Sequence, residues 1–302
     1  MRLFPALGFI VPAFISLVLA ASSPPSSFTP AGQPIFSVPP DSHLEQSSHG
    51  KFNIVAENGT ILHFFEPSPE NIKRQSLNVA VDVSASPSFT GNDTLQSFST
   101  TVVVPPLPTT FDSQLLFLTA GVVLVDDDGE SVFMSAGLQY GGTNAQGGPY
   151  YTPTLLLQDL SSTQFTQISY GNYPVNPGDT LQISATLDNI VPMPGINWYE
   201  LAISSPTDSQ LDISYLARVN ASTPVIAMFR VQEEGVNPDA GEYPAGDAVF
   251  EDISVNSTTG VADVEWVTST NATLDSGISV EVQTDGARDG QIVFVFAETS
   301  SN

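Results

Sequence analysis

The stretch Gln114–Tyr140, QLLFLTAGVVLVDDDGESVFMSAGLQY, contains two apolar runs on either side of an acidic turn. The turn includes Asp128-Gly129, and Asp-Gly between two β-forming runs is a strong hairpin signal because glycine accepts a positive φ. Side chains alternate between the two faces of a strand, so Ser135, Gly137 and Gln139 share one face of the second run. That face is either a binding groove or the more solvent-exposed side of a sandwich. The stretch predicts a β-hairpin with strands at Leu115–Val125 and Ser131–Tyr140.

From Gln75 onward the chain consists of short strand-like runs separated by turns, with side chains that alternate between the two faces of each run. Thirteen or fourteen such runs occur, with turn signals at Asn176-Pro177-Gly178-Asp179, Pro194-Gly195 and Asp285-Gly286. No stretch has a sustained 3.6-residue period, and no internal repeat of fixed length is present. The pattern predicts one all-β domain over residues 75–302, built from two layers of strands.

The N-terminal end has the features of a secretory signal peptide. Met1-Arg2 precedes the apolar run Leu3–Ala21, which ends in small residues. The run is nearly long enough for a membrane anchor, but Pro5 and Pro12 favour a cleaved signal over residues 1–20. We therefore expect a secreted, extracellular protein with no membrane attachment after cleavage. Five sequons suit a secreted glycoprotein, at Asn58, Asn92, Asn220, Asn256 and Asn271.

Residues 21–74 are predicted to form a propeptide. Ser22–Ser48 is rich in proline and serine and is predicted to be disordered, whereas Lys51–Glu66 is predicted to form a small hairpin around Asn58-Gly59. A lone dibasic pair, Lys73-Arg74, follows a proline-broken linker and is typical of a kexin-type processing site. The alternative is two solvated surface bases. Processing there would start the mature protein at Gln75.

Charge and composition exclude several classes of function. The formal net charge is −25, and such a surface repels nucleic acids and anionic membranes. The chain has no cysteine, and its three histidines, His43, His49 and His63, all lie in the predicted propeptide. A mature protein without histidine or cysteine has no Ser-His-Asp or Cys-His catalysis and no histidine zinc site. We expect a monomer with no cofactor.

One acidic turn and two aromatic pairs each have two interpretations. Asp126-Asp127-Asp128 with Glu130 offers oxygen ligands for calcium, but the ligands do not alternate as such a site requires, which favours a solvated turn and no metal. Tyr150-Tyr151 and Trp198-Tyr199 are either a stacking platform for sugar rings or part of the core and rim.

Four further segments, together with the 114–140 hairpin, resemble the motifs of a known family. They occur in the same order as in that family. They are LQSFSTTVVVPPLP at Leu95–Pro108, VNPGDTLQISAT at Val175–Thr186, VIAMFRVQEE at Val225–Glu234 and AGDAVFEDISV at Ala245–Val255. The family is the eqolisins, the fungal glutamic peptidases, and the likeness spans about residues 89–297. It implies a concanavalin A-like sandwich of two curved antiparallel sheets, with the 114–140 hairpin and Val225–Glu233 in one sheet.

The family's catalytic pair is a glutamine that stabilises the oxyanion and a glutamate that activates water. On this resemblance their positions are Ser135 and Met228, neither of which can do that chemistry. Nearby groups offer a rearranged site, since Gln139 shares a face with Ser135, and Glu233 and Glu234 end the strand of Met228. Arg230 is either the partner of a substrate carboxylate or a member of an internal salt bridge.

Two functions from different classes follow. The first is a non-catalytic protein that binds an extracellular peptide or polysaccharide in the former active-site groove, formed by Ser135 and Met228 with neighbouring side chains. The second is an acid endopeptidase with a rearranged site. The predicted neighbours in the groove are Gln139, Arg230, Tyr150, Tyr151 and Trp198.

Overall fold

The computed structural model describes residues 24–29, 34–48, 50–65, 79–86, 93–112, 114–126, 128–129, 131–142, 147–160, 165–168, 170, 173–236, 241–270 and 277–296. These ranges contain 20 strands and no helix. No helix in them is therefore long and apolar enough to cross a bilayer. The strands are β1 Ser27–Phe28, β2 Pro34–Val38, β3 His43–Gln46, β4 Phe52–Val55, β5 Ile61–Phe64, β6 Val79–Ser86, β7 Leu95–Val103, β8 Leu115–Val125, β9 Ser131–Gly141, β10 Tyr151–Asp159, β11 Phe165–Ile168, β12 Thr180–Met193, β13 Ile196–Ser204, β14 Asp212–Asn220, β15 Val225–Glu234, β16 Ala248–Ser257, β17 Gly260–Val261, β18 Glu265–Thr270, β19 Ile278–Thr284 and β20 Gly290–Phe296.

The strands form two sheets that pack face to face. One sheet has 9 strands in the order β1-β2-β11-β10-β9-β8-β15-β6-β18. The other has 11 strands in the order β19-β20-β16-β7-β12-β13-β14-β3-β4-β5, with β17 paired to β16. The predicted all-β, two-sheet sandwich is confirmed. All described pairings are antiparallel except β11 with β2 and β14 with β3, which are parallel.

Alternation along the strands produces the core between the sheets. In β9 the inward side chains Met134, Ala136 and Leu138 are fully buried and belong to the main cluster. Phe229 of β15 crosses the gap, since its ring centroid lies 5.5 Å from that of Phe98 in the opposite sheet. Such edge-to-face contacts add to the free energy of area burial. The apolar positions of the sequence therefore fix which face of each strand turns inward.

The predicted 114–140 hairpin is confirmed as the antiparallel pair β8–β9. Its turn contains Gly129 at φ 84°, in the left-handed region that glycine adopts without strain. Farther along the pair, a Cβ at Gly121 would lie 2.1 Å from the carbonyl oxygen of Met134, and one at Gly137 would lie 2.0 Å from that of Leu118. Glycine is required at both positions, because the two backbones approach too closely for a side chain.

The prediction of disorder over Ser22–Ser48 is wrong for the residues described. Three strands, β1, β2 and β3, form there because distant parts of the chain supply partners that a local pattern does not reveal: β2 pairs with β11, and β3 pairs with β14. The hairpin predicted within Lys51–Glu66 is confirmed as β4–β5, with Gly59 at φ 80° in its turn. The predicted signal peptide and the pair Lys73-Arg74 lie outside the described residues.

Candidate functional site

The two positions that the eqolisin likeness assigns to catalysis lie in one row of the nine-stranded sheet. Ser135 of β9 is directly opposite Gly121 of β8, and Gly121 is directly opposite Met228 of β15. The predicted sharing of one sheet is thus confirmed. Two strand spacings put the backbones of Ser135 and Met228 about 10 Å apart. Because Gly121 has no side chain, nothing from β8 fills the space between them.

This row lies on the face of the nine-stranded sheet that is turned away from the other sheet, which we call the outer face. Met228 packs there against Val123 and Phe133 in an apolar cluster that is separate from the main core. Ser135 is 1% exposed and Met228 is 5% exposed. The methionine thioether has no proton to exchange, so Met228 cannot activate water as a general base does. The serine side chain is too short to replace a glutamine amide at the same backbone position.

Polar side chains cross the middle of the outer face, and we call Gln139, Thr154, Gln158, Gln167 and Arg230 the polar strip. Arg230 Nη1 donates to Gln158 Oε1 at 2.9 Å, which joins β15 to β10 across the two strands between them. Gln167 Nε2 donates to Gln139 Oε1 at 2.8 Å and to Thr154 Oγ1 at 3.1 Å. Amide groups both donate and accept hydrogen bonds, so the strip can pair with a peptide backbone or with sugar hydroxyls.

Two apolar clusters accompany the polar strip on the outer face. Val123 of the first cluster lies near the end of β8, next to Phe133 and Met228. Leu115 and Phe117 of the second lie at the start of β8 and pack with Leu156. The outer face therefore offers apolar contacts and hydrogen-bonding groups side by side, since Gln139 lies opposite Phe117 and Gln158 lies opposite Phe133.

Glutamines that the sequence analysis did not single out complete this surface. Gln158, Gln167 and Gln232 are all at least nine-tenths buried. The Gln232 side-chain nitrogen has no hydrogen-bond partner. Gln232 shares a row with Gln139, since both lie opposite Phe117. The alternation of β10 and β11 could have identified Gln158 and Gln167 as outward residues, but the sequence did not show that the two strands pair beside β9.

The chain was compared with models of known protein families and with curated protein sequences, and neither comparison gave a match. The outer face is therefore interpreted from its own residues.

The aromatic residues predicted to line the groove do not form a platform there. Trp198 lies in β13 of the eleven-stranded sheet, with its ring 5.5 Å from that of His43. Tyr151 is wholly buried in the main core, 5.3 Å from Tyr140. Tyr150 is half-buried and donates to the carbonyl of Gly147. The placement of Tyr151 and Trp198 in the groove is wrong, because inward alternation and sheet membership separate them from the outer face.

The two glutamates considered for a rearranged site point in opposite directions. Glu234 follows Arg230 and Gln232 on the outer face and is 1% exposed. Glu233 points toward the core, where burial raises its pKa to about 7, against an opposing hydrogen bond from Tyr243. One of its carboxylate oxygens, Oε2, has no hydrogen-bond partner. Glu234, not Glu233, is therefore the carboxylate that shares the outer face with Gln139.

The acidic turn of the hairpin is paired with a base from the N-terminal part of the chain. Lys51 Nζ lies 3.2 Å from Asp126 Oδ2 and 2.8 Å from Asp128 Oδ2. Asp127 and Glu130 lie outside the described residues. Among the residues that are described, no group of three or more His, Asp or Glu side chains is placed to hold a metal ion. The two described aspartates of this turn are thus in contact with an ammonium group.

Proposed function

We propose that this chain is a secreted glycoprotein with an eqolisin-like sandwich that binds an extended peptide on its outer face without hydrolysing it. The observation that carries the proposal is the row Ser135–Gly121–Met228. On the eqolisin resemblance, this row has a hydroxyl and a thioether at the positions where a glutamic peptidase has an amide and a carboxylate. Losing a positioned general base alone costs about 10²–10⁴ in rate.

The chemistry of the outer face supports a peptide as the ligand. An extended peptide presents backbone amides along its length and side chains at intervals of two residues. The polar strip supplies amide partners for such a backbone, and the clusters at Phe117 and Phe133 supply apolar contacts on either end of β8. A polysaccharide remains the second ligand to test, since amide side chains also bind sugar hydroxyls.

Access to the outer face requires a rearrangement, because Ser135 and Met228 are only 1% and 5% exposed in the complete chain. We take processing at Lys73-Arg74 as the step that provides it. The form that starts at Gln75 is then the binding form. N-terminal sequencing of the secreted protein tests this step, and a mature start near Ala21 would contradict it.

A second candidate function is an acid endopeptidase with a rearranged site. It is favoured by Gln139 and Glu234, which lie on the same face of β9 and β15 and are both buried. In this arrangement Glu234 is the general base and Gln139 the oxyanion donor.

Digestion of denatured casein at pH 2–4 separates the two functions. We expect no cleavage by the wild type, retention of casein peptides by the form starting at Gln75, and cleavage by the double variant Ser135→Gln, Met228→Glu. Thermal unfolding of each variant shows whether it is folded. If the wild type cleaves as fast as the double variant, the non-catalytic proposal is wrong, and loss of that activity in Glu234→Gln would establish the rearranged site. Retention of oligosaccharides instead of peptides would exclude the peptide ligand.

A further inference from the structure

The N-terminal strands β1–β5 connect the edges of both sheets, and we call them the N-terminal clasp. One arm, β1–β2, extends the nine-stranded sheet through the parallel pair β2–β11. The other arm, β3–β4–β5, extends the eleven-stranded sheet through the parallel pair β3–β14. The clasp is therefore held by strand pairing on two sheets at once.

The two arms meet at His63. This residue belongs to β5, and its ring centroid lies 4.4 Å from that of Phe36 in β2. Phe65 covers another side, with ring centroids 5.3 Å apart and the planes nearly perpendicular. His63 is 4% exposed, and neither of its ring nitrogens has a hydrogen-bond partner. The junction between the arms is thus an imidazole packed against two phenyl rings, with both of its nitrogens unsatisfied.

Such a junction accommodates a neutral imidazole but not a charged one. Protonation gives imidazole two N–H donors and a full charge, and a buried charge without a partner is costly. The phenyl faces attract a cation but accept no conventional hydrogen bond. Burial lowers the pKa of His63, in agreement with this environment.

No charged residue lies on the elements packed around His63. The described strands β2, β4 and β5 contain no Asp, Glu, Lys or Arg, and neither does β11, which pairs with β2. Two charged groups of the clasp are paired with other residues: Lys51 with Asp126 and Asp128, and Glu45 with Arg218 and His43. Asp41 and Glu57 are exposed in the turns between β2 and β3 and between β4 and β5. His43 contacts Glu45 and Trp198 and is separate from the junction at His63. The response to acid at the junction therefore depends on His63.

We propose that the N-terminal clasp opens in acid because protonation of His63 separates β2 from β5 and releases β2 from β11, whose edge is then exposed. The trigger is specific to the clasp, since all three histidines of the chain lie before residue 64. The sandwich itself contains no histidine and keeps its pairing. The proposal rests on the described geometry of the clasp and does not require the function proposed for the outer face.

The direction of the pH effect follows from the two states of His63. A free imidazole protonates near pH 6.5, whereas the docked one resists protonation. The docked clasp therefore has its full stability above about pH 6.5 and loses it as the pH falls toward the lowered pKa of docked His63. In that interval each decrease of one pH unit raises the equilibrium constant for opening by up to about tenfold.

Hydrogen–deuterium exchange on the full chain tests the proposal, with rates corrected for the intrinsic effect of pH. Between pH 7.5 and 4.5 we expect protection of residues 34–38 and 61–65 to fall by at least about tenfold in the wild type. Protection of β8 and β9 should not fall. His63→Leu should keep its protection in acid, and His43→Gln, the matched control, should behave like the wild type.

Two results would overturn the proposal. One is unchanged protection of the clasp in acid in the wild type, and the other is the same loss of protection in His63→Leu as in the wild type. If His63→Leu does not fold, the imidazole C–H resonances of the wild type decide instead. We expect the His63 signal to titrate below pH 6.5 together with the loss of protection, and a signal that titrates while protection is retained would refute the opening.

Discussion

Replacing Glu233 with glutamine should remove a pH-dependent loss of stability from the sandwich. Glu233 points into the core beside Tyr243 and is 4% exposed. Burial raises its pKa from 4.5 to about 7, the hydrogen bond from Tyr243 opposes the rise, and the charges of Glu234 and Glu242 add to it. The folded protein therefore holds a proton on Glu233 at pH values where the unfolded chain has lost it.

The size of the effect follows from the same shift. Because the folded pKa is raised, the stability contributed by protonated Glu233 is complete below pH 4.5 and is lost as the pH rises to about 7. A rise from 4.5 to about 7 corresponds to about 3 kcal/mol. For a domain of this size, that is a change of roughly 6–12 °C in Tm. Glu233→Gln has no proton to lose, so it should match the wild type below pH 4.5 and exceed it by up to this amount at pH 7.5.

Thermal unfolding from pH 3.5 to 7.5 measures the difference in Tm between the variant and the wild type. Glu281→Gln is the matched control, because it makes the same substitution at an exposed position on β19. The buried carboxyl would not have the expected role if the Glu233→Gln difference were constant across the range. The same conclusion would follow if the stability of the wild type rose as much as that of the variant when the pH increases past 4.5.

Two further predictions concern the hairpin and the sequons. Gly121→Ala should lower the free energy of unfolding in urea by about 3 kcal/mol, because its Cβ would lie 2.1 Å from the Met134 carbonyl oxygen. Gly246→Ala, whose Cβ would lie 3.3 Å from the Pro106 ring, should cost less than about 1 kcal/mol. Asn220→Gln should remove the mass of one glycan from the secreted protein, since Asn220 ends β14 in a turn closed by the Thr223 amide. Asn256→Gln should not, because Asn256 Nδ2 lies within β16 and donates to Ser97 Oγ at 3.1 Å; loss of a glycan from this variant in intact-mass analysis would contradict the assignment.

Local sequence signals predicted most of the sandwich. The strands Leu115–Val125 and Ser131–Gly141 follow from alternation and from the Asp128-Gly129 turn. The placement of Ser135 and Met228 in one sheet followed from the order of the motifs. The hairpin is determined by residues close together in the chain, since neighbouring strands joined by short turns pair with each other by default. The pairing of β15 with β8 joins distant parts of the chain and was predicted only through the eqolisin resemblance.

Tertiary structure alone decided the outer face and the clasp. Glu233 and Glu234 are adjacent in sequence, yet one points into the core and the other to the outer face, because the register of β15 assigns them to opposite sides. Trp198 was predicted among the neighbours in the groove as part of an aromatic pair, and it is in the other sheet. In the proline- and serine-rich N-terminal segment β1 pairs locally with β2, but β2 joins the sheet through β11, about 130 residues later. The backbone hydrogen bonds of β2 are satisfied by this distant edge, and no local pattern of side chains predicts the pairing.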